Sequence, residues 1–125
     1  MEDIYLVEDS AVVRQRLEAL LADVPQARVV GHASGAREAI SDILAKQPDV
    51  VLCDLNLAQG TGFDVLRALT AQAPGIECYM LSNFSTQPYR RLAAELGACD
   101  FFDKSSEFEC VRDLVAKRAA TSQQP

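Results

Sequence analysis

The sequence predicts an α/β domain built on a parallel sheet with helices on both faces. Short β-branched runs alternate with longer helical patterns five times in succession, and parallel neighbours need crossover connections of that kind. The strand runs are almost continuously apolar, as a sheet covered on both sides requires. The 125 residues suit one domain, with no linker, low-complexity stretch or other repeat to divide them.

The first run is Ile4-Tyr5-Leu6-Val7, followed by Val13, Leu17, Leu20, Leu21 and Val24 at helical spacing until Pro25. Residues 28–31 read as the second strand, and 36–46 as a helix with Ile40, Ile43 and Leu44 inward. After Pro48 comes Val50-Val51-Leu52-Cys53, the most continuously apolar strand. Gly60 and Gly62 mark a loop before a helix over 63–72, which Pro74-Gly75 ends. Residues 76–81 form the fourth strand and 86–96 a helix that tolerates Pro88 in its first turn. Gly97 stands where a helix end favours a left-handed residue. Asp100-Phe101-Phe102-Asp103 is a short last strand, its two aromatics pointing to opposite faces. Ser106-x-x-Glu109 has the pattern of a capping box, opening a helix with Phe108, Val111, Leu114 and Val115. The domain is expected over 1–120, with 121–125 as a polar tail.

Composition excludes several classes. Eighteen acidic residues against 12 basic give a net charge of −6, which argues against non-specific nucleic-acid binding. No apolar run reaches the roughly 20 residues of a membrane span, and Met1-Glu2-Asp3-Ile4-Tyr5 lacks the pattern of a secretory signal. Cys53, Cys78, Cys99 and Cys110 form no C-x-x-C pair and are read as reduced, mostly buried thiols of a cytoplasmic protein. His32 is expected at the surface, Arg90-Arg91 on a solvated helix face.

Open parallel sheets bind ligands beyond the carboxyl ends of their strands. Strand one ends in Glu8-Asp9, strand three in Asp54, strand four in Ser82, and strand five runs into Lys104. Three carboxylates at one edge repel, each pair by about 4 kcal/mol at 4 Å and an effective dielectric near 20. Either one of them stays protonated or a divalent cation sits among them, and for a cation oxygen-only ligands suit Mg²⁺ before Ca²⁺. With an ammonium and a hydroxyl beside it, such a site cradles phosphoryl oxygens. No Ser, Cys or His here has an activating partner, so a carboxylate must carry the phosphoryl, and Asp54 on the middle strand is the candidate.

Ile4-Tyr5-Leu6-Val7-Glu8-Asp9-Ser10, Val50-Val51-Leu52-Cys53-Asp54-Leu55-Asn56-Leu57, Met80-Leu81-Ser82-Asn83 and Gly97-Ala98-Cys99-Asp100-Phe101-Phe102-Asp103-Lys104 together resemble the receiver domain of bacterial two-component response regulators. The resemblance implies a flavodoxin-like doubly wound sheet of order 2-1-3-4-5. It makes Asp54 the phosphoacceptor, receiving a phosphoryl group from a sensor histidine kinase or phosphotransfer protein. It makes Asp9 and Asp54 direct Mg²⁺ ligands, with Glu8 acting through water and Asn56 through its backbone carbonyl. Lys104 and Ser82 would contact phosphoryl oxygens, and Phe101 would be a switch aromatic that turns inward as the hydroxyl moves. Gly62 matches the glycine that lets the loop turn. The chain departs from the family in having Glu-Asp for the common Asp-Asp, Ala58 and Ser105 for frequent prolines, Phe101 for a tyrosine of some members, and Asn83 for a small residue. With Ser105 in place of proline, a cis peptide is not expected there. Phe84, two residues past Ser82, is expected to shield an acyl phosphate from water.

No residues are left over for an output domain, so a stand-alone receiver is expected to act by touching another protein. Its effector would bind the face formed by helix four, strand five and helix five. A phosphatase reading fails because Asn56 stands where such enzymes need an acid. A receiver that is never phosphorylated, acting only as an interaction module, is the alternative.

Overall fold

A computed structural model describes residues 1–122. Five strands and five helices alternate: β1 Glu2–Val7, α1 Ala11–Ala22, β2 Ala27–Ala33, α2 Ala36–Lys46, β3 Val50–Cys53, α3 Gly62–Gln72, β4 Glu77–Ser82, α4 Gln87–Glu95, β5 Asp100–Asp103 and α5 Cys110–Ser122. All neighbouring strands run parallel, in the order β2-β1-β3-β4-β5.

The pleat sorts each strand's apolar residues onto two cores. Tyr5, Val7, Val51, Cys53, Cys78, Met80 and Phe101 face α2, α3 and α4, packing with Ala39, Ile43, Val65, Leu66, Leu69 and Ala93. Ile4, Leu6, Val50, Leu52, Tyr79, Leu81 and Phe102 face α1 and α5, packing with Leu17, Leu21, Val111 and Val115. Phe101 and Phe102 therefore point to opposite faces, as read from the sequence. Ser10 Oγ accepts the Val13 N–H at 3.3 Å to start α1, and Thr61 and Asp64 form a reciprocal capping box on α3. Pro88 sits in the first turn of α4, and Gly97 has φ +109°.

Several expectations need correction. The second strand extends to Ala33, because the β2 residues through His32 and Ala33 pair with Leu6 and Val7. Ser106 and Glu109 form no capping box: Glu109 stands just before α5 and its carbonyl accepts the Arg112 and Asp113 N–H groups, while Ser106 is engaged elsewhere. The Ser106 hydroxyl and N–H are both donated to Asp103 Oδ1, and the helix begins at Cys110. That helix takes in Thr121 and Ser122, read as tail; 123–125 lie outside the described residues. The cysteines are all free, but only Cys53 and Cys78 are buried, Cys99 and Cys110 lying outside the strand interiors. Burial pushes the Cys78 thiol up to about 12, so it stays protonated. His32 is exposed as expected. Among the described residues no helix is long and apolar enough to cross a membrane.

Candidate functional site

In this strand order the chain leaves β1 towards β2 on one side and β3 on the other, so the crevice opens between the ends of β1 and β3. Val7 pairs with Cys53, and the Asp54 N–H donates to Val7 O at 2.9 Å. The register thus brings Glu8-Asp9 beside Asp54. Ligand oxygens of Glu8, Asp9 and Asp54 all lie within 4.8 Å of one another. Glu8 and Asp54 are buried, Asp9 exposed at the mouth.

Lys104 reaches in from the end of β5. Its Nζ lies 2.6 Å from Glu8 Oε1 and 2.7 Å from Asp54 Oδ2, with the lysine side chain 12% exposed. The other oxygens of the buried carboxylates accept backbone N–H groups, Glu8 Oε2 from Ser10 at 3.0 Å and Asp54 Oδ1 from Leu55 at 2.7 Å. Burial raises the Glu8 pKa, and the bonds from Lys104 and Ser10 only partly offset it. Burial opposes the Lys104 ammonium, but its bonds to Asp54 and Glu8 outweigh that and hold its pKa up. The ammonium is the pocket's internal counter-ion. Asp9, by contrast, has no hydrogen-bond or ion-pair partner among the described residues.

Ser82 is fully buried at the end of β4; its Oγ accepts the Phe84 N–H at 3.1 Å, and its carbonyl accepts the Lys104 N–H at 3.2 Å. Asn56 is exposed two residues beyond Asp54, where its segment bridges to Thr61. Gln59 pins this loop to α2, accepting the Ala36 N–H on its carbonyl and the Arg37 N–H on its side chain.

The role expected of Gly62 changes. Gly60, at φ +72°, supplies the left-handed turn. Gly62 is required by close approach, since a Cβ there would stand 2.2 Å from Asp54 O and 2.8 Å from Met80 Cε. We expect Gly62→Ala to displace the Asp54 backbone and lower stability by about 2 kcal/mol, as overpacking does. Urea unfolding measures it, and an unchanged midpoint would contradict the close-approach account.

Phe101 is already inside, 5% exposed, in the core beneath α4. Arg90 is not on a solvated face. Its guanidinium lies 5.2 Å from the Phe101 ring and donates to Ser85 O, Phe101 O and Glu107 Oε1. Ser85 and Glu107 are polar residues near the site to which the sequence assigns no role, and Asp103, read only as a strand end, is bonded to both. Asp103 two places before Ser105 and three before Ser106 is a loop-capping pattern that would have flagged them. No cis peptide occurs at Ser105.

Phe84 is 45% exposed and stands 5.9 Å from Tyr89, ring to ring. The two line a cleft of about 200 Å³ with Leu55, Asn56, Thr61 and Phe63. A larger cleft of about 450 Å³ between α1 and β2 lies elsewhere, and its cations Arg14 and Arg28 are already paired with Glu18 and Asp3. The convergent acids and ammonium make the strand-end pocket the candidate site.

The response regulator receiver domain model matches residues 4–116. The DNA-binding transcriptional activator DevR/DosR of Mycobacterium tuberculosis is 33% identical over 123 residues, covering 95% of this chain and 57% of that protein. Protein-glutamate methylesterase/protein-glutamine glutaminase 2 of Cereibacter sphaeroides is 39% identical over 105 residues, 82% of this chain and 28% of that protein. The chain therefore spans well under two thirds of these relatives. Among solved structures, the BeF3-activated N-terminal receiver domain of Klebsiella pneumoniae RstA superposes with a TM-score of 0.81 at 26% identity, covering 98% of this chain and 100% of that one. The response regulator domain of Thermotoga maritima CheB gives 0.84 at 24% identity, covering 100% and 99%. Fold, strand order and sequence agree: this chain belongs to the receiver domains of two-component response regulators, a family phosphorylated on aspartate.

Proposed function

We propose that the chain accepts a phosphoryl group on Asp54 from a histidine kinase or phosphotransfer protein in the cytoplasm. The observation that carries this is the Lys104 ammonium bonded to both Glu8 and Asp54, with Asp9 alongside. An Asp54 carboxylate oxygen attacks phosphorus; the P–O bond forms as the P–N bond to the donor imidazole breaks, and the imidazole leaves with the electron pair. In this reading Lys104, bonded to Asp54, and Ser82, at the end of β4, meet the charge on the phosphoryl oxygens, so catalysis is positioning and neutralisation.

The donor set fits a hard divalent cation: oxygens only, three carboxylates close together, and Asp9 unpartnered at the open side. Asp9, Asp54 and the Asn56 carbonyl would hold Mg²⁺ directly and Glu8 through water; when bound, it neutralises carboxylate and phosphoryl charge. Asn56 cannot act as an acid, so the chain turns over no separate phosphate ester and catalyses only its own phosphorylation and dephosphorylation. Signalling follows as a population shift in the face made by α4, β5 and α5, which an effector protein reads. Direct nucleic-acid binding is not part of this reading, given the acidic balance.

Incubation with acetyl phosphate, with and without Mg²⁺, followed by intact mass measurement, tests the proposal. One phosphoryl added only with Mg²⁺ is expected. No addition would mark an interaction module that is never phosphorylated, and steady turnover of phosphate monoesters would mark a phosphatase.

Phe84 lines a cleft with Leu55 and Asn56, the residues that follow Asp54, and in this reading its apolar ring keeps attacking water out. Phe84→Lys opens that side, and we expect the phosphorylated lifetime to shorten several-fold. An unchanged decay after donor removal would refute the shielding role.

A further inference from the structure

Receiver residues beyond the reacting groups have to hold the ammonium and the hydroxyl in one place, and here the turn after Lys104 is not rigidified by a proline. A carboxylate stands in for the ring. Asp103 Oδ1 accepts the Ser105 N–H at 2.8 Å, the Ser106 N–H at 3.0 Å and the Ser106 hydroxyl at 3.2 Å. Its Oδ2 accepts the Ser85 hydroxyl, from the loop that follows Ser82. Its own N–H donates to Glu107 Oε1 at 3.0 Å, and the same Glu107 oxygen accepts Arg90 at 2.9 Å. The Ser105 hydroxyl donates to Asn83 Oδ1 at 3.2 Å. The bonds that the carboxylate accepts hold the Asp103 carboxyl low, at about 2: the Ser85 hydroxyl contributes most, then the Ser106 and Ser105 N–H groups.

Lys104 is thus gripped from both sides. Its N–H is tied to Ser82 O on β4, and the next two residues are tied to Asp103. The loops carrying the ammonium and the hydroxyl are joined by the Ser85–Asp103 bond. We propose that Asp103 is a positioning residue, freezing the turn after Lys104 and clamping it to the loop after Ser82, so that both groups meet a phosphoryl on Asp54 as one preorganised unit. This rests on the phosphoryl-transfer reading above.

The test measures the phosphorylation rate at saturating phosphoramidate and Mg²⁺ affinity without donor, for the wild-type chain, Asp103→Ala, Asp103→Asn and Ser85→Ala. Removing an outer hydrogen-bond partner is expected to slow Asp103→Ala about tenfold, with Mg²⁺ affinity held within about twofold. Asn keeps an oxygen that can accept the Ser105 and Ser106 N–H groups, so Asp103→Asn should stay within about threefold of wild type. Ser85→Ala, which breaks only the clamp, should slow the rate about threefold. Asp103→Ala at the wild-type rate, or Asp103→Asn no faster than Asp103→Ala, overturns the proposal. If Asp103→Ala fails to fold by circular dichroism, Ser85→Ala decides, and the wild-type rate in that variant overturns it. A wild-type chain that takes no label overturns the phosphoryl-transfer reading itself, and this inference falls with it.

Discussion

Asp54→Asn is expected to yield a folded chain that takes up no phosphoryl group at all. Asn matches Asp in shape, and its carbonyl oxygen can still accept the Leu55 N–H that Asp54 Oδ1 accepts now. The Asp54 N–H remains tied to Val7 O, so the β1–β3 ladder is untouched. Lys104 keeps Glu8 as its partner. We expect no other group to take over: among the described residues the Ser82 hydroxyl is bonded to the Phe84 N–H alone, and the Ser85 and Ser106 hydroxyls are held by Asp103. Intact mass after acetyl phosphate with Mg²⁺ checks the outcome, with circular dichroism to confirm the fold. Label retained at the wild-type level would move the phosphoacceptor elsewhere.

Lys104→Ala has the largest expected effect on stability. The substitution strips the counter-ion from two carboxylates whose side chains are 3% and 7% exposed, and leaving buried charge unpaired costs several kcal/mol. Because the ammonium keeps some contact with water, we expect the low end, about 3 kcal/mol in the presence of a chelator. Mg²⁺ should restore much of the loss, since a cation that binds only the folded state stabilises it by mass action. The melting temperature of Lys104→Ala should therefore rise more on adding Mg²⁺ than that of the wild type. Equal responses would show that the ammonium and the cation do not answer to the same carboxylates.

The architecture was legible because parallel strands buried on both faces leave a strong apolar signal, and β3 is the clearest case. Glu8, Asp9, Asp54, Ser82 and Lys104 were legible because topology alone sends every strand's carboxyl end to one pole. The helix α5 start was not. Ser106-x-x-Glu109 carries the letters of a cap, but Asp103, three residues earlier, captures both polar groups of Ser106. Local pattern lost to a competing side chain. Gly62 is legible in the sequence only as a turn former, because no local pattern says that the Asp54 carbonyl packs against its Cα. Arg90 read as surface because three of its partners, Phe101 O, Ser85 O and Glu107, are joined only by the β4–β5 pairing. Cys99 and Cys110 belong to a set read as mostly buried from its apolar neighbours, yet both are exposed, Cys99 just before β5 and Cys110 at the start of α5.

A crystal structure of the chain grown with Mg²⁺ and beryllofluoride would examine the arrangement most directly. The account requires the fluoride adduct on an Asp54 oxygen, touched by Lys104 Nζ and Ser82 Oγ, with the cation against Asp9. An adduct bonded to any other residue, or Asp54 unmodified with Lys104 still between it and Glu8, would contradict it.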